Sequence, residues 1–265
     1  MIKNVKLFVN NNEKSIENSK IIRKRLSNSG FIVHEDDKFE LGIAIGGDGS
    51  FLRMVKSNNF NNNIYYIGIN SGHLGFLQEV TLNDLDIFID EIKNDKYKTS
   101  DIDIQNTIVY TKDNKYSYNS LNEMEVRSAN FDAISLKVLI NNKLLEMFRG
   151  DGLIVATTLG STAHNLGYGG SIVDNTFSTL QITSMGPLSS KSYRSLIPSY
   201  ITSSDKIVNI IPLDNNEYNI TIDGVNNMFD NIESIETKIS DKKLKCLRLS
   251  HYSFEEKIND KLLSN

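Results

Sequence analysis

Near residue 101 the spacing of the apolar residues changes, so the chain must hold two kinds of architecture. Before that point strand-like and helix-like segments alternate. Val5–Val9 reads as a strand and Glu13–Ser29 as a helix ended by Gly30. Phe31–His34 and Leu41–Ile45 read as short strands, Ser50–Ser57 as a helix, and Ile64–Ile69 as a fully buried strand. Thr81 and Asp84 form a capping-box pattern ahead of a helix whose Leu82, Leu85, Phe88, Ile89 and Ile92 share one face. Such alternation predicts a parallel sheet with helices on its faces. From Asp101 the period is two, as in Ile102/Ile104, Tyr116/Tyr118, Leu136/Val138/Ile140 and Val208/Ile210. Asn141-Asn142 sits between two such runs as a hairpin turn. Short strands continue to about residue 249, which predicts a β-sandwich-like region. Ser253–Leu263 is again amphipathic and helix-like, and is expected to pack back on the first part.

The expected organisation is therefore an α/β domain over residues 1–100, Rossmann-like in its parallel sheet and completed by a C-terminal helix at 250–265. An all-β domain covers 101–249. The 265 residues, 39 % apolar and 23 % charged, suffice for both cores without disulfides. Cys246, the single cysteine, follows Leu244 at strand spacing and reads as a core residue in a reducing compartment. A net charge of −4 and a pI near 5.6 argue against nucleic-acid or anionic-membrane surfaces. No window approaches 18 apolar residues, and the N-terminal apolar run is too short for a signal peptide. A soluble cytoplasmic protein is expected.

Three glycine-rich passages carry the chemistry. In the first, 41-LGIAIGGDGSFLRMVK-56, Gly46, Gly47 and Gly49 surround Asp48 between a strand end and a helix start. Bare backbone allows close approach to a ligand, and the helix N-terminus favours an anion. The passage is neither GxxxxGK[ST] nor GxGxxG, and a tight turn with a helix-capping Asp is its plainer reading. The second, 64-IYYIGINSGHLGFL-77, closes the next strand in the same way with Asn70, Ser71, Gly72 and Gly75. Carboxyl ends of strands in open α/β sheets gather into one crevice, which favours a shared site. His73 reads as a packing residue before a catalytic one. In the third, 149-RGDGLIVATTLGSTAHNLGYGGSIV-173, a strand-like LIVAT lies between GDG and GST, and Ser161 and Thr162 could hold ribose or phosphate oxygens. Between these, Asn122 can donate and accept at a base edge, and Glu123 can accept from two vicinal hydroxyls. A polar turn is the alternative there.

Together GGDGSF at 46–51, NSGHLGFL at 70–77, NE at 122–123, and GDGLIVAT with GSTA at 150–163 resemble, in order and spacing, the motifs of bacterial NAD kinases. The resemblance implies transfer of the γ-phosphoryl of ATP, or of polyphosphate, to the 2′-hydroxyl of the adenosine ribose of NAD. It also implies an α/β domain, a β-sandwich-like domain, and a C-terminal helix that returns to the first. A homodimer or homotetramer whose subunits share the NAD site is expected, with no nucleic-acid or membrane partner. Asp48 would take the proton of the hydroxyl while Gly46, Gly47 and Gly49 approach the phosphates. A divalent ion, Mg²⁺ by expectation, would accompany ATP, and no side chain is assigned to a protein metal site.

By the same resemblance Asn122 would bind the adenine edge, Glu123 a ribose, and Phe76 would pack at the adenosine. Thr162 and Ala163 would line the adenine pocket, with Arg53, His164, Asn165, Leu166 and Gly167 completing the NAD- and ATP-binding set. Arg149 would lie at the pocket rim, and Asp151 near the nicotinamide end, across a subunit interface. Tyr193-Arg194 would reach toward the partner subunit. The chain departs from the family at Thr158, Leu159, His164, Gly167 and Val225, all on the dinucleotide wall. His164 replaces a tyrosine that can stack. Two other readings compete: a lipid or small-alcohol kinase sharing GGDG, and a non-catalytic dinucleotide sensor.

Overall fold

The computed structural model describes residues 2–264 except 73, 74, 190–193, 197 and 215. The chain forms two compact units, one of residues 1–102 and 243–265, the other of residues 103–242.

The first unit opens with β1 (Asn4–Val9), α1 (Glu13–Asn28), β2 (Ile32–His34), β3 (Leu41–Gly46), α2 (Asp48–Ser57), β4 (Tyr65–Asn70) and α3 (Leu85–Lys93). β1 pairs in parallel with β2 on one side and β3 on the other, and β3 pairs in parallel with β4. The sheet is thus parallel, as the alternation predicts. Strands β3 and β4 are almost wholly buried, because helices cover both faces of such a sheet. Its core joins Ile43, Ile45, Ile67 and Ile69 to Ile22 and Leu26 of α1 and to Leu85, Phe88 and Ile92 of α3. Two helix starts differ from expectation. α2 begins at Asp48 rather than Ser50, because Gly47 is its extended N-cap residue. α3 begins at Leu85: Asp84 Oδ2 accepts the Thr81 amide at 3.2 Å, half of a capping box, but the Thr81 hydroxyl donates to the same oxygen at 2.6 Å and so caps no helix amide.

The second unit contains β6 (Lys115–Ser120), β7 (Glu123–Ser128), β8 (Ile134–Ile140), β9 (Lys143–Gly150), β10 (Gly152–Thr157), α4 (His164–Gly167) and β11 (Thr179–Met185). It continues through β12 (Ser199–Ser203), β13 (Val208–Pro212), β14 (Tyr218–Ile222) and β15 (Val225–Phe229). The chain passes between units within β5 (Lys98–Thr111) and β16 (Ile232–Arg248). One antiparallel sheet runs β12-β11-β10-β7-β14-β15. Its inner face, with Met124, Val126, Leu153, Val155, Ile182 and Ile220, packs on Leu136, Val138, Phe148, Val208 and Ile210 from the antiparallel strands β8, β9 and β13. The second unit is therefore a sandwich. The Asn141-Asn142 turn joins β8 to β9 with both residues at positive φ, 47° and 63°, the geometry that favours asparagine.

Cys246 is buried in the last part of β16, which pairs in parallel with β4. After it come α5 (Phe254–Ile258) and a π-helical turn at Asn259–Leu263. Among the described residues no helix is long and apolar enough to cross a membrane.

Candidate functional site

In the first unit the strand order β2-β1-β3-β4 reverses direction at β1 and β3. Ligands of open α/β sheets bind beyond the carboxyl ends of strands at such a point. The residues there are Asn10, following β1, and the Gly46–Gly49 loop following β3. A cavity of about 200 Å³ lies beside them, lined by Phe8, Asn10, Ser50, Arg53 and Met54 among others. Asn10 Nδ2 and Arg53 Nη2 each donate to Ser50 Oγ at 3.1 Å, which sets the exposed guanidinium at the cavity. No side chain caps α2, so the N–H groups ahead of Ser50, whose own amide donates to the Gly47 carbonyl at 2.8 Å, are available to an anion.

Asp48 stands in the first turn of α2, half-buried. Its Oδ2 accepts the Phe76 amide at 2.8 Å and its Oδ1 the Leu77 amide at 2.9 Å. The carboxylate therefore ties the first glycine loop to the second. A carboxylate has about four lone-pair positions, so two remain for a ligand. The second loop is itself held at its start, where Asn70 Oδ1 accepts the Gly72 amide and Ser71 bonds Ser15 of α1. The structure thus brings Gly46, Gly47, Asp48, Gly49, Arg53 and Phe76 into one neighbourhood. His73 lies outside the described residues.

In the second unit a separate group forms around the entrance to β7. Asn122 and Glu123 are buried, and Gly160 packs so closely on this segment that a Cβ there would lie 2.1 Å from the Asn122 carbonyl oxygen. Burial, and then the charges of Asp223 and Glu125, push the Glu123 carboxyl up to about 8. Its Oε2 has no hydrogen-bond partner. Thr162, Ala163, His164, Leu166 and Gly167 follow Gly160 in a short 3₁₀ turn and α4, half-buried or exposed. His164 Nδ1 contacts Glu125 Oε1, and its ring meets Tyr168 edge-on at 5.1 Å. Glu125 also lies 3.3 Å from Arg127, which donates to the Tyr168 hydroxyl at 2.9 Å. The His164 ring is thus set by side chains of its own unit. Asn165 is fully buried: its Nδ2 donates to Gln181 at 2.7 Å and its Oδ1 accepts from Thr183 at 2.6 Å. Its amide is committed to the core beneath the turn.

Asp151 and Arg149 are not brought to this group. They precede β10, whereas Thr162–Gly167 follow it, and six residues at roughly 3.3 Å each separate the two ends by about 20 Å. Asp151 is exposed, and Arg149 Nη1 donates to Ser135 Oγ at 3.1 Å. Tyr193 and residues 190–192 of the loop before it lie outside the described residues, and Arg194 is exposed.

Three residues of consequence escape a sequence reading. Asp223 accepts the amides of Leu121, Asn122 and Glu123 at 2.8, 2.8 and 3.3 Å, holding the segment that carries Asn122 and Glu123. Asp223-Gly224 between two alternating runs signals the β14–β15 turn, but nothing local signals its distant amides. Glu125 orders His164, Arg127 and Tyr168, and Lys257 reaches the second glycine loop. Among the described residues no three His, Cys, Asp or Glu side chains cluster as a metal cage. A single carboxylate, Asp48, beside an anion-binding helix start suits a divalent ion carried on a nucleotide's phosphates.

Comparison with known proteins bears on both groups. Residues 5–97 match the ATP-NAD kinase N-terminal domain and residues 121–249 the ATP-NAD kinase C-terminal domain. The chain is 34 % identical to an NAD kinase of Finegoldia magna over 98 % of this chain and 97 % of that protein. It is 31 % identical to NAD kinase 2 of Bacillus licheniformis over 97 % of each. Among solved structures, yeast NADH kinase complexed with NADH shares its fold at a TM-score of 0.87 and 19 % identity, over 99 % of this chain and 87 % of that one. An NAD kinase from Archaeoglobus fulgidus in complex with ATP shares it at 0.74 and 18 %, over 98 % of each.

Proposed function

Since the chain belongs to the ATP-NAD kinase family, we propose that its two residue groups divide the reaction between a phosphoryl-transfer centre around Asp48 and a dinucleotide wall around Asn122 and Glu123. The enzyme transfers the γ-phosphoryl of ATP to the 2′-hydroxyl of the adenosine ribose of NAD, and its products are NADP and ADP. In this reading residues 1–100 with 250–265 carry the transfer centre, and residues 101–249 the wall.

The O2′ atom forms a bond to Pγ as the bond from Pγ to the bridging oxygen of the β-phosphate breaks. The electron pair leaves with ADP. The proton of the hydroxyl passes to a free lone pair of Asp48, a general-base contribution of roughly 10²–10⁴-fold. The Phe76 and Leu77 amides keep the carboxylate aimed while it does so. Amides of Gly47, Gly49 and the first turn of α2 receive phosphate oxygens, and Arg53 adds charge at the cavity rim. A divalent ion bound with the triphosphate supplies the remaining charge neutralisation.

On the wall, Asn122 reads the adenine edge and Glu123 a ribose. At neutral pH the raised Glu123 carboxyl retains its proton, so it can donate as well as accept. Thr162 and Ala163 line the adenine pocket, with His164, Leu166 and Gly167 beyond them, and Phe76 packs at the adenosine. Asp151, at the far end of β10, serves the nicotinamide end of a dinucleotide bound to a partner subunit, with Arg149 at the rim of that pocket, which requires a homo-oligomer.

The observation that carries this reading is the Asp48 carboxylate, fixed by two amides at an uncapped helix start. Asp48→Asn preserves shape, so NAD binding should persist while NADP production falls by about 10²-fold or more. Near-normal turnover of this variant in a coupled assay with ATP and Mg²⁺ removes Asp48 as the base.

A further inference from the structure

Lys257 is 7 % exposed, near the end of α5, and its ammonium points into the second glycine loop. Its Nζ donates to the carbonyls of Gln78 at 2.7 Å and Phe76 at 3.2 Å, and to Glu79 Oε2 at 3.3 Å. The Phe76 carbonyl and the Leu77 amide belong to one peptide unit. That unit is planar and trans, so its C=O and N–H point in opposite directions. The carbonyl faces Lys257, and the N–H faces Asp48 Oδ1 at 2.9 Å. One rigid peptide thus stands between an ammonium and a carboxylate.

We propose that Lys257 is a positioning residue for Asp48, holding the Phe76–Leu77 peptide in the one orientation that presents its N–H to the carboxylate. The inference rests on the assignment of Asp48 as the base. Rotation of that peptide would turn a carbonyl oxygen toward Asp48 and replace an attraction with a repulsion. The ammonium opposes the rotation from the other side, and its charge polarises the carbonyl and strengthens the N–H donor. The anchor is itself anchored. Glu79 also accepts from Arg248 Nη1 at 3.3 Å and from the Leu249 amide at 3.1 Å, and the Tyr252 ring lies 5.1 Å from Nζ. The C-terminal segment is therefore wired to the reacting carboxylate through one peptide.

The geometry separates this role from simple attachment of the tail. Attachment alone would be met by Glu79 and Gln78; the bond to the Phe76 carbonyl reaches the peptide that Asp48 uses. Burial also lowers the Lys257 ammonium to about 8, against the opposing pull of Glu79. The other charged or titratable groups facing it are Arg248 and Cys246 from β16, Tyr252 from the following turn, and Asp48 from α2, while Lys261, further along the tail, lies over the Phe76 ring at 5.5 Å and acts on Asp48 rather than on Lys257. The holder should therefore weaken as pH rises through about 8.

The test uses the full-length enzyme with Lys257→Met, which keeps length and volume without charge. Its kcat should fall about tenfold or more while KM for NAD and ATP stay within about twofold. In Lys257→Met/Asp48→Asn the two losses should not multiply, because Lys257 acts through Asp48. Unchanged kcat in the folded single variant, or fully multiplicative losses, overturns the inference. Asp48→Asn alone reports on the base assignment, so the two failures are distinguishable. Should Lys257→Met not fold, the pH profile decides. In a Glu123→Gln background, which removes the other group that titrates near 8, kcat should descend near pH 8, and adding Lys257→Arg, charged throughout, should lose that limb or move it up by about one pH unit or more. A flat profile in that background, or a limb unmoved by Lys257→Arg, overturns it equally.

Discussion

Gly75 lies against Asp48 so closely that a Cβ on it would sit 1.8 Å from Oδ1. The Asp48 carboxylate cannot retreat without giving up the Phe76 and Leu77 amides. Gly75→Ala should therefore displace the carboxylate rather than unfold the chain. Overpacking of this kind costs about 1–3 kcal/mol, and a misplacement of about 1 Å at a reacting group costs about 10² in rate. A fall in kcat that far exceeds the loss of thermal stability is the expected result. Thermal melts beside steady-state kinetics read both.

Asp223 supplies the acceptor for three consecutive amides, those of Leu121, Asn122 and Glu123. Asp223→Ala leaves them unpaired at a buried site and places alanine at a φ of 46°. Unpaired buried donors cost about 1–3 kcal/mol each, partly relieved by relaxation. Destabilisation on the order of 2–5 kcal/mol in urea unfolding is expected, with a raised KM for NAD. Asp223→Asn tolerates the same φ and keeps one acceptor oxygen, so it should recover part of both losses.

Glu123 makes stability depend on pH. Burial, with Asp223 and Glu125 adding to it, raises its carboxyl from 4.5 to about 8 in the folded state. The folded protein then holds a proton that the unfolded chain releases. This contribution is fully present below about 4.5 and is lost as pH rises through about 8. Unfolding free energy should fall across that window by an amount on the order of a few kcal/mol. Glu123→Gln should flatten the slope. Urea titrations at pH 5, 6.5 and 8 compare the two proteins, and equal slopes would exclude Glu123 as the source.

Cys246 is buried within β16, and burial pushes its thiol up to about 11. A neutral, covered thiol reacts slowly. The native enzyme at pH 8 should resist an aromatic disulfide reagent for as long as it stays folded, and should release one equivalent in denaturant. Rapid reaction in the native state would place the side chain outside the core.

The features legible from the amino-acid order alone are those set by neighbours along the chain. Period two against strand–helix alternation marks two architectures, and Asn141-Asn142 marks a turn because asparagine tolerates positive φ. Leu244 and Cys246 share a buried face because alternate residues of a strand do. The glycines at 46–49 and 72–75 mark loops at strand ends for the same local reason, the freedom of a backbone without Cβ. The Thr81–Asp84 pattern shows where local reading stops: the right residues are present, yet the hydroxyl turns to the carboxylate and the helix starts later.

Tertiary structure alone decided the partners. Asp48 finds amides 28 and 29 residues away, Asp223 finds amides 100 to 102 residues back, and Lys257 reaches carbonyls about 180 residues back. A hydrogen bond of this kind carries no periodicity and no spacing rule. It depends on where folded strands deliver two backbone segments, and a short-range pattern holds no record of that meeting.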